Sequence, residues 1–446
     1  MSKYKAPCGM RDFSTKDVKI RQYIFDKVRN LFELREGNEI ETPVAELMTT
    51  VEGIYGEEFN KLVYKTGENS TEPLILRYDL TVPLARYVNS NGLSVFRRFH
   101  IGKVYRKDHP QADKGRFREF YQCDFDIIGT DNNLMIYDTE ILELLSDCLN
   151  TFLGNNFKIL INHRQIVYKI LEMTGITEEK YNEVCSTLDK MDKKPWTEII
   201  IELTDVRKLS EESIKILTDI KNNISEFNGS NVELLKYMKS LEYIRENTYE
   251  EILMLFENFE LLNIETNFVL NPFLIRGLDY YTGVIYEAIF NDSTIMPSSI
   301  ASGGRYDKML GKIGTRGDIP AIGMSLGIER LVVILEKIYP DIGSNFIKHP
   351  LVYVTSVGKN MMQNRIILCS ELRKKGVFAT MPNKENPKMD YNFKRVFDND
   401  IAYMAILGEN EVKNNNVTLK NIKTKEECTL GRDEFIQLMV KISQIN

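Results

Sequence analysis

The chain has 446 residues, 43% of them hydrophobic and 27% charged, with a formal net charge of −6. That size predicts two or three domains with ample core, and the ordinary composition excludes a fibrous or low-complexity chain. The negative balance excludes a protein that coats nucleic acid indiscriminately, yet Arg97 to Arg118 holds eight Lys/Arg against two Asp/Glu, and Leu351 to Asn446 fifteen against eleven. Local basic surfaces on an acidic protein suit selective contact with polyanions.

In chain order, Ile24, Val28 and Leu31 recur at helical spacing and predict an amphipathic helix over 16–35. Glu39-Ile40-Glu41-Thr42-Pro43 reads as a short strand closed by proline, and Leu74 to Thr81 as another strand. Asp79 and Thr81 then share a strand face, and Thr81 with Pro83 opens the next helix. Phe96 to Arg106 and Gly115 to Gly129 read as two strands around a basic loop, followed by a helix near 134–153. Residues of about 180–265 are acidic, helix-prone and poor in glycine, which predicts an inserted helical module; its Trp196 reads as core. Strand and glycine patterns return at Leu274–Glu287, Ala301–Asp307 and Ile319–Leu331, the last a strand feeding a helix. Beyond a linker near 339–350, strands and helices alternate to the end, predicting a small α/β domain with a parallel or mixed sheet.

The six cysteines are scattered without a Cys-x-x-Cys, and the four histidines show no metal-ligand spacing. Reduced, mostly buried thiols and no structural zinc are expected. Neither a signal-peptide core nor an apolar run of membrane-spanning length is visible, so a cytoplasmic location is the expectation.

The strand-loop-strand of 96–129 carries most of the chemistry. In an extended second strand, Arg118, Gln122, Asp124 and Asp126 point to one face. Arg106 and Arg116 flank the loop beside them. Such a row suits an anion together with a cationic, hydrogen-bonding small molecule. Paired glycines at Gly303-Gly304 suggest close approach of backbone to a ligand, or a bulge.

Five segments together resemble the histidyl-tRNA synthetase family of class II aminoacyl-tRNA synthetases, in its eukaryotic-like branch. Glu41-Thr42-Pro43 is similar to motif 1, Tyr105-Arg106-Lys107-Asp108 with Arg116 to motif 2, and Gly327-Ile328-Glu329-Arg330 to motif 3. Arg276-Gly277-Leu278-Asp279-Tyr280-Tyr281-Thr282-Gly283 and Gly303-Gly304-Arg305-Tyr306-Asp307 are more specific, being similar to the family's two histidine-specific segments. The resemblance implies an α+β catalytic domain, an antiparallel sheet with flanking helices, over 1–340, interrupted by the insertion. It also implies a C-terminal α/β anticodon-binding domain over 350–446, in which Gly408–Glu411 and Val417–Lys420 are similar to closing strands.

It further implies histidine activation with ATP as substrate, Mg2+ accompanying ATP, and transfer to histidine tRNA. Arg106 and Arg276 are then the catalytic residues on the α-phosphate, and Arg116 and Arg330 bind the phosphate tail. Asp79, Thr81 and Gln122 match residues that hold the α-amino group, Asp126 and Tyr281 those on the imidazole, and Tyr306 the pocket wall. Guanidinium suits the phosphate positions because its fixed fork donates two bonds at once. Asp108 stands where motif 2 usually has glutamate, and Asp124 reads as a partner that orients Arg118. A homodimer formed partly by residues 16–43 is expected, with the basic loop meeting the tRNA acceptor end and the basic tail the anticodon. Two other readings stay open: a non-catalytic synthetase-like regulatory or tRNA-sensing paralogue, and a synthetase for another amino acid.

Overall fold

The computed structural model describes residues 4–445 apart from 52–53, 55–58, 68–70, 130–134, 192–193, 277–279 and 315–316. Its contacts divide the chain into two compact units, Met1–Ser344 and Asn345–Asn446.

The strands of the first unit are β1 Asn38–Glu39, β2 Ala45–Leu47, β3 Lys65–Thr66, β4 Leu74–Leu76, β5 Phe96–Tyr105, β6 Glu119–Ile128, β7 Phe157–His163, β8 Phe268–Leu270, β9 Val284–Phe290, β10 Ala301–Arg305 and β11 Ala321–Gly327. Eight of them form one sheet in the order β1-β5-β6-β11-β10-β9-β7-β8. Its six central strands pair antiparallel, and the edge strands β1 and β8 run parallel to their neighbours. The remaining three make a small antiparallel sheet.

Strand alternation gives the large sheet two different faces. On β6, Cys123, Phe125 and Ile127 are buried in the apolar core and alternate with Gln122, Asp124 and Asp126. The apolar face is covered by helix Thr15–Glu33, which opens on a Ser14–Asp17 capping box. Ile20, Ile24, Val28 and Phe32 form its buried stripe. The Phe32 ring lies 5.5 Å from Phe99 and 5.2 Å from Phe125. Burying each such side chain stabilises the layer by roughly 1.5–3 kcal/mol. Helices Ile136–Leu153 and Ile328–Ile338 complete the cover. The opposite face carries the buried polar side chains Arg98, His100, Asp124 and Asp126.

Between Tyr181 and Leu261 the described residues form five helices, Tyr181–Leu188, Trp196–Asp205, Glu211–Ser225, Asn231–Ser240 and Glu246–Leu261. They lack a core of their own: Leu217, Leu235 and Phe259 join the cluster that holds the sheet residues Phe157 and Ile159. Phe259 stacks on Phe268 of β8 with ring centroids 4.0 Å apart. Trp196 is partly buried against this core and donates to Thr218 Oγ1 at 3.3 Å.

Local details depart from the sequence reading. The segment after β1 contributes one more sheet bond, Ile40 N to Phe99 O at 3.0 Å, and then leaves the ladder before Pro43, which has no N–H to give. β4 stops at Leu76, and Thr81 is already the first residue of helix Thr81–Ser90. Asp79 and Thr81 therefore do not share a strand face. The cap is the Asp79 carboxylate, whose Oδ1 accepts from Thr81 N and Val82 N, both at 3.1 Å. A short anionic side chain two residues upstream satisfies the free N–H groups and the helix dipole together.

The second unit has β12 Val352–Ser356, β13 Ala379–Thr380, β14 Tyr403–Leu407, β15 Asn416–Asn421 and β16 Glu427–Gly431, ordered β13-β12-β14-β15-β16. β12 is parallel to both neighbours and β15 antiparallel to both, a mixed sheet. Val352 and Val354 pack under Leu368, Leu372, Phe435 and Met439 of two helices. Tyr353 turns to the other face, against Val396, Ile401 and Met404. Gly408–Glu411 is not a strand: Glu409–Lys413 is a short helix, because Glu411 Oε2 reaches back to Gly408 N at 3.1 Å and closes its first turn.

Candidate active site

The polar face is a register-matched array. Gln122, Asp124 and Asp126 of β6 stand opposite Gly102, His100 and Arg98 of β5. On the other side they stand opposite Gly327, Ser325 and Gly323 of β11. Gly323 is required, since a Cβ there would come within 1.9 Å of Asp126 Oδ1. Asp126 is held from two sides: Arg98 Nη2 lies 2.8 Å from Oδ2, and the Tyr306 hydroxyl donates to Oδ1. Gln122 Nε2 donates to Ser325 Oγ at 2.5 Å. Gln122 Oε1 and Asp124 Oδ1 find no hydrogen-bond partner among the described residues, which leaves two buried acceptors of the row unpaired.

Burial sets the charges of this array. It pushes the Asp124 carboxyl up to about 7, against the pull of Arg98. Burial likewise raises Asp126, opposed by Arg98 and by the Tyr306 hydrogen bond. His100 is driven down to about 3 by burial and by the neighbouring Arg98 and Arg77, so it stays neutral. The wall comes from the two glycine-bearing segments, which are tied together: Thr282 N donates to Arg305 O at 2.7 Å and Thr282 Oγ1 to Asp307 Oδ2 at 3.0 Å. Gly304 leaves room for Val284 O and the Tyr281 ring, which a Cβ would meet at 2.8 and 3.0 Å. Gly277, Leu278 and Asp279 of the first segment lie outside the described residues.

The row opens outward into a hollow of about 160 Å³ lined by Arg106, Arg116, Arg276, Arg330 and Gln122, among others. Each guanidinium is aimed by its neighbours. Arg106 donates to Tyr78 O at 3.0 Å and lies over the Tyr78 ring at 4.2 Å. Arg276 Nε is 2.6 Å from Glu287 Oε2, and Arg116 Nη1 is 3.7 Å from Asp108 Oδ2. Arg330 donates to Ser299 O and Ser299 Oγ. Burial pulls the Arg330 guanidinium down to about 10, and Arg116, Arg276 and Arg106 add to the depression by like-charge repulsion. Four cations within range of one another and facing one cavity make a polyanion site. The motif 3 carboxylate is engaged elsewhere: Glu329 is among the residues lining the hollow, but its buried side chain accepts from Tyr121 N at 2.9 Å and pairs with Arg21. No cluster of three metal-ligating side chains occurs among the described residues.

The structure thus brings Arg106, Arg116, Arg276, Arg330 and Gln122 to one hollow. Asp126, Tyr306 and Tyr281 stand deeper along the same face and do not line it. Gln122 and Asp126 are four residues apart on one strand, about 13 Å. Asp79 and Thr81 sit at the mouth of their helix. Arg118 leaves the row: the strand begins only at Glu119, and the Arg118 side chain turns to Asp108 O at 3.2 Å and Cys8 O at 3.5 Å. Asp124 therefore does not orient Arg118; the charge it feels most is that of Arg98.

Arg98, Ser325 and Glu287 escaped the sequence reading. The signal for Arg98 was present, since Arg98, His100 and Gly102 alternate on β5 as Asp126, Asp124 and Gln122 do on β6. Only the register shows that they face the same ligand space.

Comparison with known proteins agrees over the full length. A family model for histidyl-tRNA synthetase matches residues 9–331, and one for an anticodon binding domain matches 351–442. The chain is 36% identical to the cytoplasmic histidine–tRNA ligase of Dictyostelium discoideum, over 99% of this chain and 91% of that protein. It is also 36% identical to the histidine–tRNA ligase of Danio rerio, over 98% and 88%. A solved histidyl-tRNA synthetase from Nostoc sp. PCC 7120 shares the fold with a TM-score of 0.74, at 22% identity, covering 99% of this chain and all (100%) of that one. With the array of β6, the arginine hollow and these relatives in agreement, the chain belongs to the histidyl-tRNA synthetase family.

Proposed function

We propose that the four arginines of the hollow bind ATP and carry the charge of histidine activation, and that the inner row selects histidine. The chain is a histidine–tRNA ligase acting in two steps. A carboxylate oxygen of histidine attacks the α-phosphorus of ATP, the bond to the β-phosphate oxygen breaks, and pyrophosphate leaves. A hydroxyl of the terminal tRNA adenosine then attacks the carbonyl carbon, and AMP leaves. In-line attack at phosphorus needs charge compensation more than a covalent catalyst. Arg106 and Arg276 serve the α-phosphate, with Arg106 also on the histidine carboxylate; Arg116 and Arg330 serve the β- and γ-phosphates. Mg2+ enters as the counter-ion of ATP, held chiefly by phosphate oxygens.

Asp79, Thr81 and Gln122 take the α-amino group, an ammonium beside a carboxylate and an amide oxygen. Asp126 and Tyr281 take the two imidazole nitrogens, with Tyr306 as the wall. A buried site that bonds both ring nitrogens rejects side chains unable to pair, by a factor of ~10⁴ or more. The loop Lys107–Arg116 meets the acceptor end of the tRNA, and the unit from Asn345 meets the anticodon. The working form is a cytoplasmic homodimer joined partly through residues 16–43.

The observation that carries this reading is the convergence of Arg106, Arg116, Arg276 and Arg330 on one hollow, where burial first and then the charges of Arg116, Arg276 and Arg106 disfavour the Arg330 cation. A triphosphate relieves that repulsion. Deleting 351–446 tests whether that hollow suffices for activation: histidine-dependent pyrophosphate exchange survives while tRNA charging falls. Loss of exchange in the folded truncation contradicts the division.

A further inference from the structure

We propose that Arg98 is a positioning residue that fixes the spacing between the α-amino and imidazole halves of the histidine pocket, a role that rests on the pocket reading above. Arg98 is fully buried on β5 and does not line the hollow. Its Nη2 donates to Leu80 O at 3.0 Å and lies 2.8 Å from Asp126 Oδ2. Leu80 stands between Asp79 and Thr81, the pair assigned to the α-amino group, and Asp126 is assigned to the imidazole. One nitrogen therefore ties the loop that opens helix Thr81–Ser90 to the central strand of the floor. The Tyr306 hydroxyl holds the other oxygen of Asp126, so the carboxylate cannot rotate away from the ligand.

The burial of this guanidinium is not explained by stability. Its Nε and Nη1 lack hydrogen-bond partners among the described residues. A buried ion pair of this kind is often no more stable than apolar side chains of the same volume. What it supplies is a defined charge and orientation for Asp126, which without a cation would be driven by burial toward its neutral form.

The test measures KM for histidine and for ATP in pyrophosphate exchange with the full chain, for Arg98→Met, Arg98→Lys, Asp126→Asn and the double variant Arg98→Met/Asp126→Asn. Arg98→Met raises KM for histidine about tenfold or more and moves KM for ATP by less than about twofold. Arg98→Lys recovers part of the loss. The double variant loses less than the two single losses combined, because Arg98 acts in part through Asp126. If Arg98→Met does not fold, the lysine variant and the double variant, which removes both buried charges, make the same comparison. Unchanged KM for histidine in the Arg98 variants, equal rises for both substrates, or additive losses in the double variant overturn the proposal. If Asp126→Asn weakens histidine while the Arg98 variants do not, the positioning role alone falls. If Asp126→Asn leaves histidine binding intact, the pocket reading falls and takes this role with it.

Discussion

At the outer end of the site, four arginines outnumber the carboxylates beside them: Glu287 stands 2.6 Å from Arg276 and Asp108 3.7 Å from Arg116. At the inner end, Asp126 is already matched by Arg98 and Tyr306 before any ligand arrives. The difference assigns different work to each end. Excess like charge is relieved by an anion, so in the proposed reaction the outer end gains most when negative charge develops on phosphorus. A matched, dry carboxylate adds little net field, and it discriminates by where its free lone pairs and neighbours allow hydrogen bonds. In the function proposed here, power is sited where cations outnumber carboxylates, and selectivity where a carboxylate is matched by its own partners.

The largest effect that sharpens this contrast is expected at the outer end. Arg276→Ala keeps the fold and lowers histidine-dependent pyrophosphate exchange at least ~10²-fold, the scale for one electrostatic donor. Near-normal exchange in that variant removes Arg276 from the chemistry. Next, Asp126→Asn raises KM for histidine about tenfold or more and leaves KM for ATP nearly unchanged. Equal changes for the two substrates would erase the distinction between the ends.

The smallest effect is one of stability. Asp124 has its carboxyl at about 7 in the fold against an ordinary 3.8, so its contribution is complete below 3.8 and is lost as pH rises to 7. His100, its cross-strand partner, titrates at about 3 against an ordinary 6.5. Its contribution is complete above 6.5 and is lost as pH falls toward 3. The two slopes oppose one another between 3.8 and 6.5. Asp124→Asn deletes the first, so stability relative to the parent rises with pH by up to about 1.4 kcal/mol per unit between about pH 4 and about pH 7. Denaturant melts across that range check it; parallel curves for variant and parent would mean that Asp124 does not titrate there.

How much of this was legible in the residues differs between the two ends. The arginines sit inside short, ordered motifs, and Arg106, Arg116, Arg276 and Arg330 could be named before any fold was known. The inner row was half legible. Period-two alternation places Gln122, Asp124 and Asp126 on one face, but which residue lies opposite depends on strand register, a long-range property. Hence Arg98, 28 residues before Asp126, went unread, and Asp124 was matched to Arg118 in its place. The Asp79–Thr81 turn was misread for a related reason: an apolar run continuing from Leu74 looks like strand, and the Asp79 side chain ends that run by capping. Gly408–Glu411 was misread because a five-residue helix leaves no periodic trace in so short a span. The helices of 181–261 were visible as helices, but not that they share their core with the sheet.

The central claim is that one site joins an unbalanced arginine cluster to a pocket that takes only an imidazole. Pyrophosphate exchange with ATP, run separately with each of the common amino acids, addresses it directly. L-histidine alone should support exchange, with any other amino acid lower by a factor of ~10⁴ or more. Comparable exchange with a second amino acid, or none with histidine, would contradict it.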